Sequence, residues 1–223
     1  MPKDASGWLL GSRQSGVVPG WATKAFDPHH ARTAKTASSG LRQSLASAHG
    51  GIALTNVGQE LIAYWHGARG DNPVPATSDI SPKNFHEILP YARYMSWDGP
   101  EDLRIRVFGS ALSTAFGMDL TGFNLLDLFE PETLPLEVER FRALHAQPCG
   151  SVTVRHAYFE GGSAREIELV HLPVRGHPSR ILGTVMVREI PERWNGEADR
   201  TRPMDTLDFS YIDVGFGIPG AGA

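Results

Sequence analysis

The sequence predicts an α+β domain in which a five-stranded antiparallel sheet carries short helices on one face. Two strand-like segments come first, three come last, and the residues between them recur with the period of helices. Short turns separate the strand-like segments, which is typical of antiparallel neighbours. The predicted domain spans residues 56–191, between a basic, disordered N-terminal tail (1–55) and an acidic, aromatic C-terminal tail (192–223).

Composition and charge support these boundaries. Residues 1–55 are rich in Ser, Ala, Gly and Thr, and they lack the apolar pattern that would offset the entropy of ordering. Their net charge is +4, that of residues 192–223 is −3, and the domain between them carries −5. The acidic domain argues against a nucleic-acid-binding face. A nucleic-acid-associated regulator that uses the basic tail stays an alternative.

Helices are predicted before and after the first pair of strands. Asn56 is a candidate N-cap for a helix over residues 57–68, which ends in a glycine-containing segment. After the strand pair come short helical pieces and then a longer helix from Thr133 towards Pro148. One face of this longer helix carries apolar residues at helical spacing, namely Leu134, Val138, Phe141 and Leu144.

The strand-like segments differ in their pattern. The first two, with a turn cluster between them, predict a hairpin, and the last three predict a meander over residues 152–190. The second segment alternates apolar residues with arginines, which predicts one face in the core and one in water. The alternating residues are Leu103, Ile105 and Val107 on one side and Arg104 and Arg106 on the other.

Local motifs in this order resemble the PAS family. Residues 104–109 have the pattern R-x-R-hydrophobic-x-G of a strand that runs into a helix, and residues 116–122 follow as "FG-x-x-L-x-G". Residues 125–129 are similar to the next helix of the family. The segment from Pro75 to Tyr91 is similar to its entry segment, although Ala76 and Thr77 replace a basic position. The resemblance covers residues 57–191 and implies the fold of a largely uncharacterised single-PAS family common in alphaproteobacteria.

The resemblance implies a sensory, regulatory or protein-interaction module without enzymatic activity. The sequence holds no transmitter-kinase, cyclase or helix-turn-helix pattern, so we expect a regulator that acts in trans without its own output domain. A protein partner or a homodimer is the expected mode of action. The resemblance also allows a small ligand between the sheet and the helices, and the residues indicate no particular cofactor.

His145 is the candidate cofactor-binding residue. It shares the apolar face of the longer helix, and in some PAS domains the corresponding helix supplies a haem-ligating histidine. A small α+β protein that binds haem or another small molecule is therefore the alternative function. A capping histidine or a hydrogen-bonded core histidine is the structural interpretation of the same residue.

Few residues indicate a flavin site, a metal site or a catalytic site. Flavin photochemistry in PAS relatives needs a cysteine in an "NCRFLQ"-like motif, where this chain has Phe123 to Leu126. The single cysteine, Cys149, lies on another element and is predicted to be a half-buried small residue. His156 and His171 lie on adjacent predicted strands, where they are expected to form a cross-strand pair and not a metal site. No catalytic residues are predicted.

Four residues are candidates for protein contacts, because arginine and aromatic side chains most often dominate interface energies. They are Arg104 and Arg106 on the wet face of the second strand and Phe209 and Tyr211 in the C-terminal tail. Phe209 and Tyr211 stand two positions apart, which is the spacing of residues on one face of a strand. The tail is therefore predicted to dock as an extra edge strand or to bind a partner by strand addition, with a disordered tail as a third interpretation.

Two further expectations concern location and packing. No apolar run approaches the ~18 residues of a membrane span, and the N-terminus lacks the apolar core of a secretory signal. We therefore expect a cytoplasmic protein without membrane contact. One hydrophobic core is expected to contain five residues from different elements: Val107, Phe116, Leu128, Phe141 and Val185.

Overall fold

Six strands and three α-helices form over the residues that the computed structural model describes, 50–158, 164–188 and 204–220. The helices are α1 (Asn56–Arg69), α2 (Ser110–Ala115) and α3 (Leu134–Ala146). The strands are β1 (Ala92–Gly99), β2 (Asp102–Phe108), β3 (Gly150–Tyr158), β4 (Ala164–Val174), β5 (Arg180–Val187) and β6 (Asp205–Ile212). Short 3-10 helices occupy Thr77–Asp79, Pro82–Phe85, Leu89–Tyr91 and Leu125–Leu128.

The strands form one antiparallel sheet in the order β2-β1-β5-β4-β3-β6. The predicted α+β class, the β1–β2 hairpin and the β3-β4-β5 meander are confirmed. The predicted number of strands is one too low, since β6 adds a sixth strand along β3. Of the three interpretations of this C-terminal segment, docking as an edge strand is the one that the structure shows. The predicted disordered tail before residue 50 lies outside the described residues.

Helices cover both faces of the sheet, whereas the sequence predicted them on one. Successive residues of β4 point to opposite faces. Val170 faces α1, where a Cβ added to Gly58 would lie 3.1 Å from its Cγ2 atom. The next residue, His171, meets Phe141 of α3 in an edge-to-face pair with 5.1 Å between ring centroids. We call these sides the α1 face and the α3 face. Sequence period identifies the buried side of a helix but not the sheet face that it covers.

The start of α1 is fixed by a buried carboxylate of β4. Thr55, and not Asn56, is the N-cap, and its Oγ1 accepts a hydrogen bond from the Gly58 N–H (3.2 Å). Thr55 also donates its backbone N–H and its hydroxyl to Glu168, both at 2.7 Å. Ile52 is buried as well. Packed structure therefore includes Ile52, which lies before the predicted boundary at residue 56.

Glu168 predicts a pH dependence of stability. Burial raises the pKa of this carboxyl group above its ordinary value of 4.5, and the hydrogen bonds from Thr55 oppose this only in part. The folded chain then holds the proton more tightly than the unfolded chain. The free energy of unfolding should therefore fall as pH rises from 4.5 through the raised pKa, and level off above it. We expect Glu168→Gln to flatten this part of the profile, because an amide does not titrate, while its single oxygen can keep one of the two hydrogen bonds from Thr55.

Urea unfolding between roughly pH 4 and pH 8 measures this effect. Glu166→Gln is the matched control, because its side chain lies on the same strand and is half exposed. We expect this control to keep the wild-type profile. The same slope in wild type and Glu168→Gln would show that Glu168 is not the titrating group.

A β-bulge in β2 changes the face of Val107. Ile105 and Val107 pair with consecutive residues of β1, so Arg106 is an extra residue between them. Side chains beyond the bulge switch faces. Phe108 is therefore buried, while 43% of Val107 is exposed. The predicted core position of Val107 is wrong, because strict alternation does not survive an inserted residue.

The other predicted core residues divide in two groups. Phe141 and Val185 are buried, and Phe116 packs against the core as a partly buried residue. Leu128 is 48% exposed, so its predicted core position is wrong. It ends a single 3-10 turn that buries its first two leucines. A single turn has no repeating face, and the sequence pattern could not identify its buried side.

Gly109 allows the sharp corner between β2 and α2. Its N–H donates to the Ala92 carbonyl (2.8 Å), and a Cβ at this position would overlap the Pro90 carbonyl group. The predicted close approach of the backbone at this glycine is confirmed. No helix in the described ranges is long and apolar enough to cross a membrane.

Candidate functional site

A row of polar residues crosses the α3 face of the sheet in register. Arg93 of β1 pairs with Gly183 of β5, Gly183 pairs with His171 of β4, and His171 pairs with Ser151 of β3. Directly paired residues of antiparallel strands point to the same face. A Cβ on Gly183 would lie 2.8 Å from the Cδ2 atom of His171. The missing side chain therefore leaves the space in which Arg93 and His171 meet.

Arg93 and His171 are in direct contact inside the domain. Their Nη2 and Nε2 atoms are 2.5 Å apart, and the two residues are 7% and 3% exposed. A guanidinium group only donates, so Nε2 accepts and the imidazole is assigned its proton on Nδ1. Burial holds the pKa of His171 well below its ordinary value, and the charges of Arg93 and Arg155 lower it further. The imidazole is therefore neutral, as this hydrogen bond requires.

A buried ion pair lies beside this contact. Glu137 of α3 accepts from Arg155 of β3 and from Arg140 of its own helix, each at 2.8 Å. Glu137 and Arg155 are buried, and the Arg155 guanidinium also lies 5.1 Å from the ring centroid of Phe129. One carboxylate thus accepts hydrogen bonds from two guanidinium groups. We call Arg93, Glu137, Arg155 and His171 the arginine cluster.

The arginine cluster contains more positive than negative charge. Burial lowers the pKa of Arg93 to about 9; the nearby charge of Arg155 lowers it too, and Glu137 raises it. Burial also lowers the pKa of Arg155, against the charge of Glu137. Within the described part of the chain, the Nε atoms of both arginines are buried and have no hydrogen-bond partner. The cluster therefore offers donors, in a water-poor setting, that no described residue uses.

The arginine cluster was not predicted from the sequence. Its one visible signal is a charged residue within apolar strand segments, as at Arg93 in β1 and Arg155 in β3. A charged residue of this kind can be recognised as pointing into the domain only when the strand pairing is known. The two arginines come from strands that are not neighbours in the sheet.

His145 lies in the last turn of α3. Burial lowers the pKa of its imidazole to about 4, so the ring is neutral. Its Nε2 atom is buried and has no hydrogen-bond partner among the described residues. This nitrogen therefore does not have the partner expected of a capping or hydrogen-bonded core histidine. Its role as a cofactor ligand stays a prediction.

Arg104 and Arg106 lie at the β2 edge of the sheet, and both are ion-paired. Arg104 contacts Asp102 at 2.5 Å, and Arg106 contacts Asp98. The backbone of this edge is also covered by a following loop. The Ile105 N–H donates to the Phe123 carbonyl (2.9 Å), and the Ile105 carbonyl accepts from the Gly122 N–H (2.8 Å).

Phe209 and Tyr211 lie on β6, at the opposite edge of the sheet. Their rings pack edge to face with centroids 4.9 Å apart. The Arg140 guanidinium lies 3.9 Å from the Phe209 ring centroid. Because Arg140 also binds Glu137, contacts run continuously from the arginine cluster to β6. The four residues predicted for protein contacts therefore lie as two pairs at opposite edges of the sheet, and the structure does not bring the two pairs together.

The histidines of β3 and β4 do not face each other. His171 pairs with Ser151, whereas His156 pairs with Glu166. Positions 151 and 156 are an odd number of residues apart, so the two histidines point to opposite faces of the sheet. The expected cross-strand histidine pair is therefore wrong. No His, Cys, Asp and Glu residues in the described ranges form a group that could hold a metal ion.

Cys149 and Asn124 occupy structural positions. Cys149 is fully and not half buried, and burial together with the Asp213 charge raises the pKa of its thiol to about 12. The thiol is therefore protonated and a poor nucleophile. Asn124 lies where flavin-dependent relatives are expected to carry their cysteine motif. Its Oδ1 accepts from the N–H groups of Leu103 (3.0 Å) and Leu126 (3.2 Å).

Light-Oxygen-Voltage (LOV) proteins are among the solved structures that are similar to this chain. A variant of RsLOV is 15% identical over 47% of this chain and 64% of its own, with a TM-score of 0.37. A LOV domain studied with a flavin analogue is 22% identical over 49% of this chain and 84% of its own, with a TM-score of 0.37. An RNA-binding LOV receptor is 15% identical over 82% of this chain and 59% of its own, with a TM-score of 0.35.

A comparison with curated proteins found no match. A family model described as "PAS domain" matches residues 55–186, which is more than half of the chain. The match begins at the N-cap of α1 and ends within β5, so it spans the arginine cluster and both faces of the sheet. The chain belongs to the PAS domain family.

Proposed function

We propose that this chain is a regulatory, non-catalytic PAS module that binds a separate partner protein along the outer edge of β6. Its family supports a sensory or regulatory role. The observation that carries partner binding is the difference between the two edges of the sheet. The 122–124 segment covers the β2 edge, whereas no described residue pairs with the outer edge of β6. An unpaired edge is a template for strand addition.

The side chains of β6 favour a particular kind of partner strand. Leu207 is the extra residue of a β-bulge and is 46% exposed. Phe209 and Tyr211 add partly exposed aromatic surface, and Asp205 and Asp208 add negative charge. An extended segment with apolar and basic side chains complements this edge. The partner is therefore proposed to be a protein that supplies such a strand, with a second copy of this chain as the competing occupant.

The proposal of no catalytic activity rests on how the interior charges are held. Glu137 is occupied by two arginines, and His171 accepts from Arg93. Neither group is free to exchange a proton with a substrate in this arrangement. A cytoplasmic location, as expected from the sequence, is part of the same proposal.

Leu207→Lys tests the β6 edge. A charge at an edge position opposes strand addition, so we expect partner capture or self-association to fall at least about tenfold. Val107→Lys is the matched control, because it also changes an exposed strand residue but lies at the opposite edge. Quantitative pull-down and light scattering on the full chain measure both kinds of association. Circular dichroism checks that each variant is folded.

The same experiment distinguishes the two candidate surfaces. Ala replacement of both Phe209 and Tyr211 should also abolish association. If Arg106→Glu abolishes it while Leu207→Lys binds normally, the interface lies on β2 and the β6 proposal fails. If light scattering shows a dimer that Leu207→Lys dissociates and Val107→Lys does not, the occupant is a second copy of the chain.

The second candidate function is the binding of a small molecule. The arginine cluster favours it more strongly than His145 does, because the cluster presents two guanidinium groups with unused donors. His145 presents a single neutral ring. Haem at His145 thus stays a proposal with one supporting observation, the unpartnered Nε2 atom.

A further inference from the structure

We propose that the arginine cluster binds the carboxylate group of a small organic anion between α3 and the sheet. This site lies in the interior of the domain, apart from β6, and the proposal rests on small-molecule binding, the second candidate function. Two independent features support it: the balance of charge inside the domain and the unused hydrogen-bond donors.

The balance of charge leaves about one positive charge to be neutralised. Arg93 and Arg155 each carry one, Glu137 carries one negative charge, and His171 is neutral. Arg140 lies further out, with 18% of its side chain exposed. A buried charge without a partner destabilises the folded chain, so a bound anion stabilises it. A single carboxylate supplies the missing charge, whereas a phosphate group near −2 would exceed it.

The unused donors are of the kind that binds a carboxylate. A guanidinium group binds a carboxylate through two parallel N–H···O bonds, and the Nε–H is one of the donors it uses. The Nη2 group of Arg93 already donates to His171, and that of Arg155 to Glu137. The Nε–H groups of both arginines are left without a partner in the described structure. A purely structural pair of arginines would be expected to use these donors within the protein.

The surroundings strengthen such an interaction. Phe141 packs edge-on against His171, and the ring of Phe129 lies against Arg155. These rings exclude water from the arginines, and an ion pair gains energy as the local dielectric constant falls. Aromatic walls also suit a ligand with an apolar body behind its carboxylate.

The test is thermal unfolding of the full chain with acetate, succinate or benzoate, against chloride at the same ionic strength. We expect at least one of the three to raise Tm by about 4 °C or more at saturating concentration. Acetamide, a neutral analogue of acetate, should have no effect. If none of the three carboxylates raises Tm more than acetamide does, the proposal is wrong.

Arg93→Met distinguishes carboxylate binding at the arginine cluster from a general effect of salt on Tm. The variant should lose the carboxylate-induced shift in Tm. Without a carboxylate it should be as stable as the wild type or more so, because it removes an unpaired buried charge. Arg106→Met, at the β2 edge, is the matched control and should keep the shift. A shift of wild-type size in Arg93→Met would overturn the proposal.

Calorimetric titration of the wild type with benzoate gives a second measurement that needs no variant. Saturable binding is expected, and its absence would contradict a Tm shift attributed to this site. Failure of these tests leaves partner binding at β6 unaffected, because Leu207 lies outside the arginine cluster. Conversely, normal anion binding by Leu207→Lys would show that the two functions are separable.

Discussion

Replacing Phe141 by Ala is expected to lower the free energy of unfolding by roughly 3–5 kcal/mol. Phe141 is buried on the α3 face, where its ring meets His171 and lies 6.3 Å from the ring centroid of Phe129. Truncation leaves a cavity between the sheet and α3, and these two elements cannot close it completely. Urea unfolding followed by circular dichroism measures the change.

Leu136→Ala is the control for this measurement. Leu136 lies on the same helix but is 49% exposed, so its loss should cost less than about 1 kcal/mol. An equally small loss for Phe141→Ala would place its side chain at the surface. The position of α3 over the sheet would then be wrong, and with it the arginine cluster.

Glu137→Gln should have an effect of similar size. The substitution keeps the shape of the side chain but removes the negative charge that faces Arg155 and Arg140. Removing one partner of a buried ion pair typically costs 3–5 kcal/mol, because it leaves the other charge unpaired. We therefore expect a loss of about 3 kcal/mol or more in unfolding free energy, measured in chloride buffer without carboxylates.

A second substitution tests this explanation. If the unpaired charge of Arg155 causes the loss, the double variant Glu137→Gln, Arg155→Met should recover most of it. Glu139→Gln, at an exposed position of the same helix, should change stability by less than about 0.5 kcal/mol. If Glu137→Gln and Glu139→Gln behave alike, the ion pair does not stabilise the domain.

The Glu137 variant also bears on how the two proposed functions are connected. Glu137 holds Arg140, and Arg140 stacks on Phe209 of β6. A change in the pairing of Glu137 is therefore expected to reach the β6 edge through Arg140. A ligand carboxylate bound at Arg155 would compete with the Glu137 side chain, and this is the physical route that we propose from an interior ligand to the β6 edge.

The sequence by itself determined the fold class, the two groups of strands and the helices between them. Each of these features depends on residues close together in the chain. Gly109 marked the corner after β2, and the apolar face of α3 identified Phe141 as a core residue. Period-two aromatics also identified the segment of β6 as a possible strand. Local periodicity suffices for such features, because helix and strand place neighbouring side chains in fixed directions.

Only the tertiary structure decided which side chains meet. Arg93 and His171 are 78 residues apart and touch because β5 lies between their strands with a glycine at the point of contact. Val107 turned outward because of one inserted residue, and of the two sheet edges the described residues cover only that of β2. Strand order and register arise from packing between distant segments, so a local pattern cannot specify them.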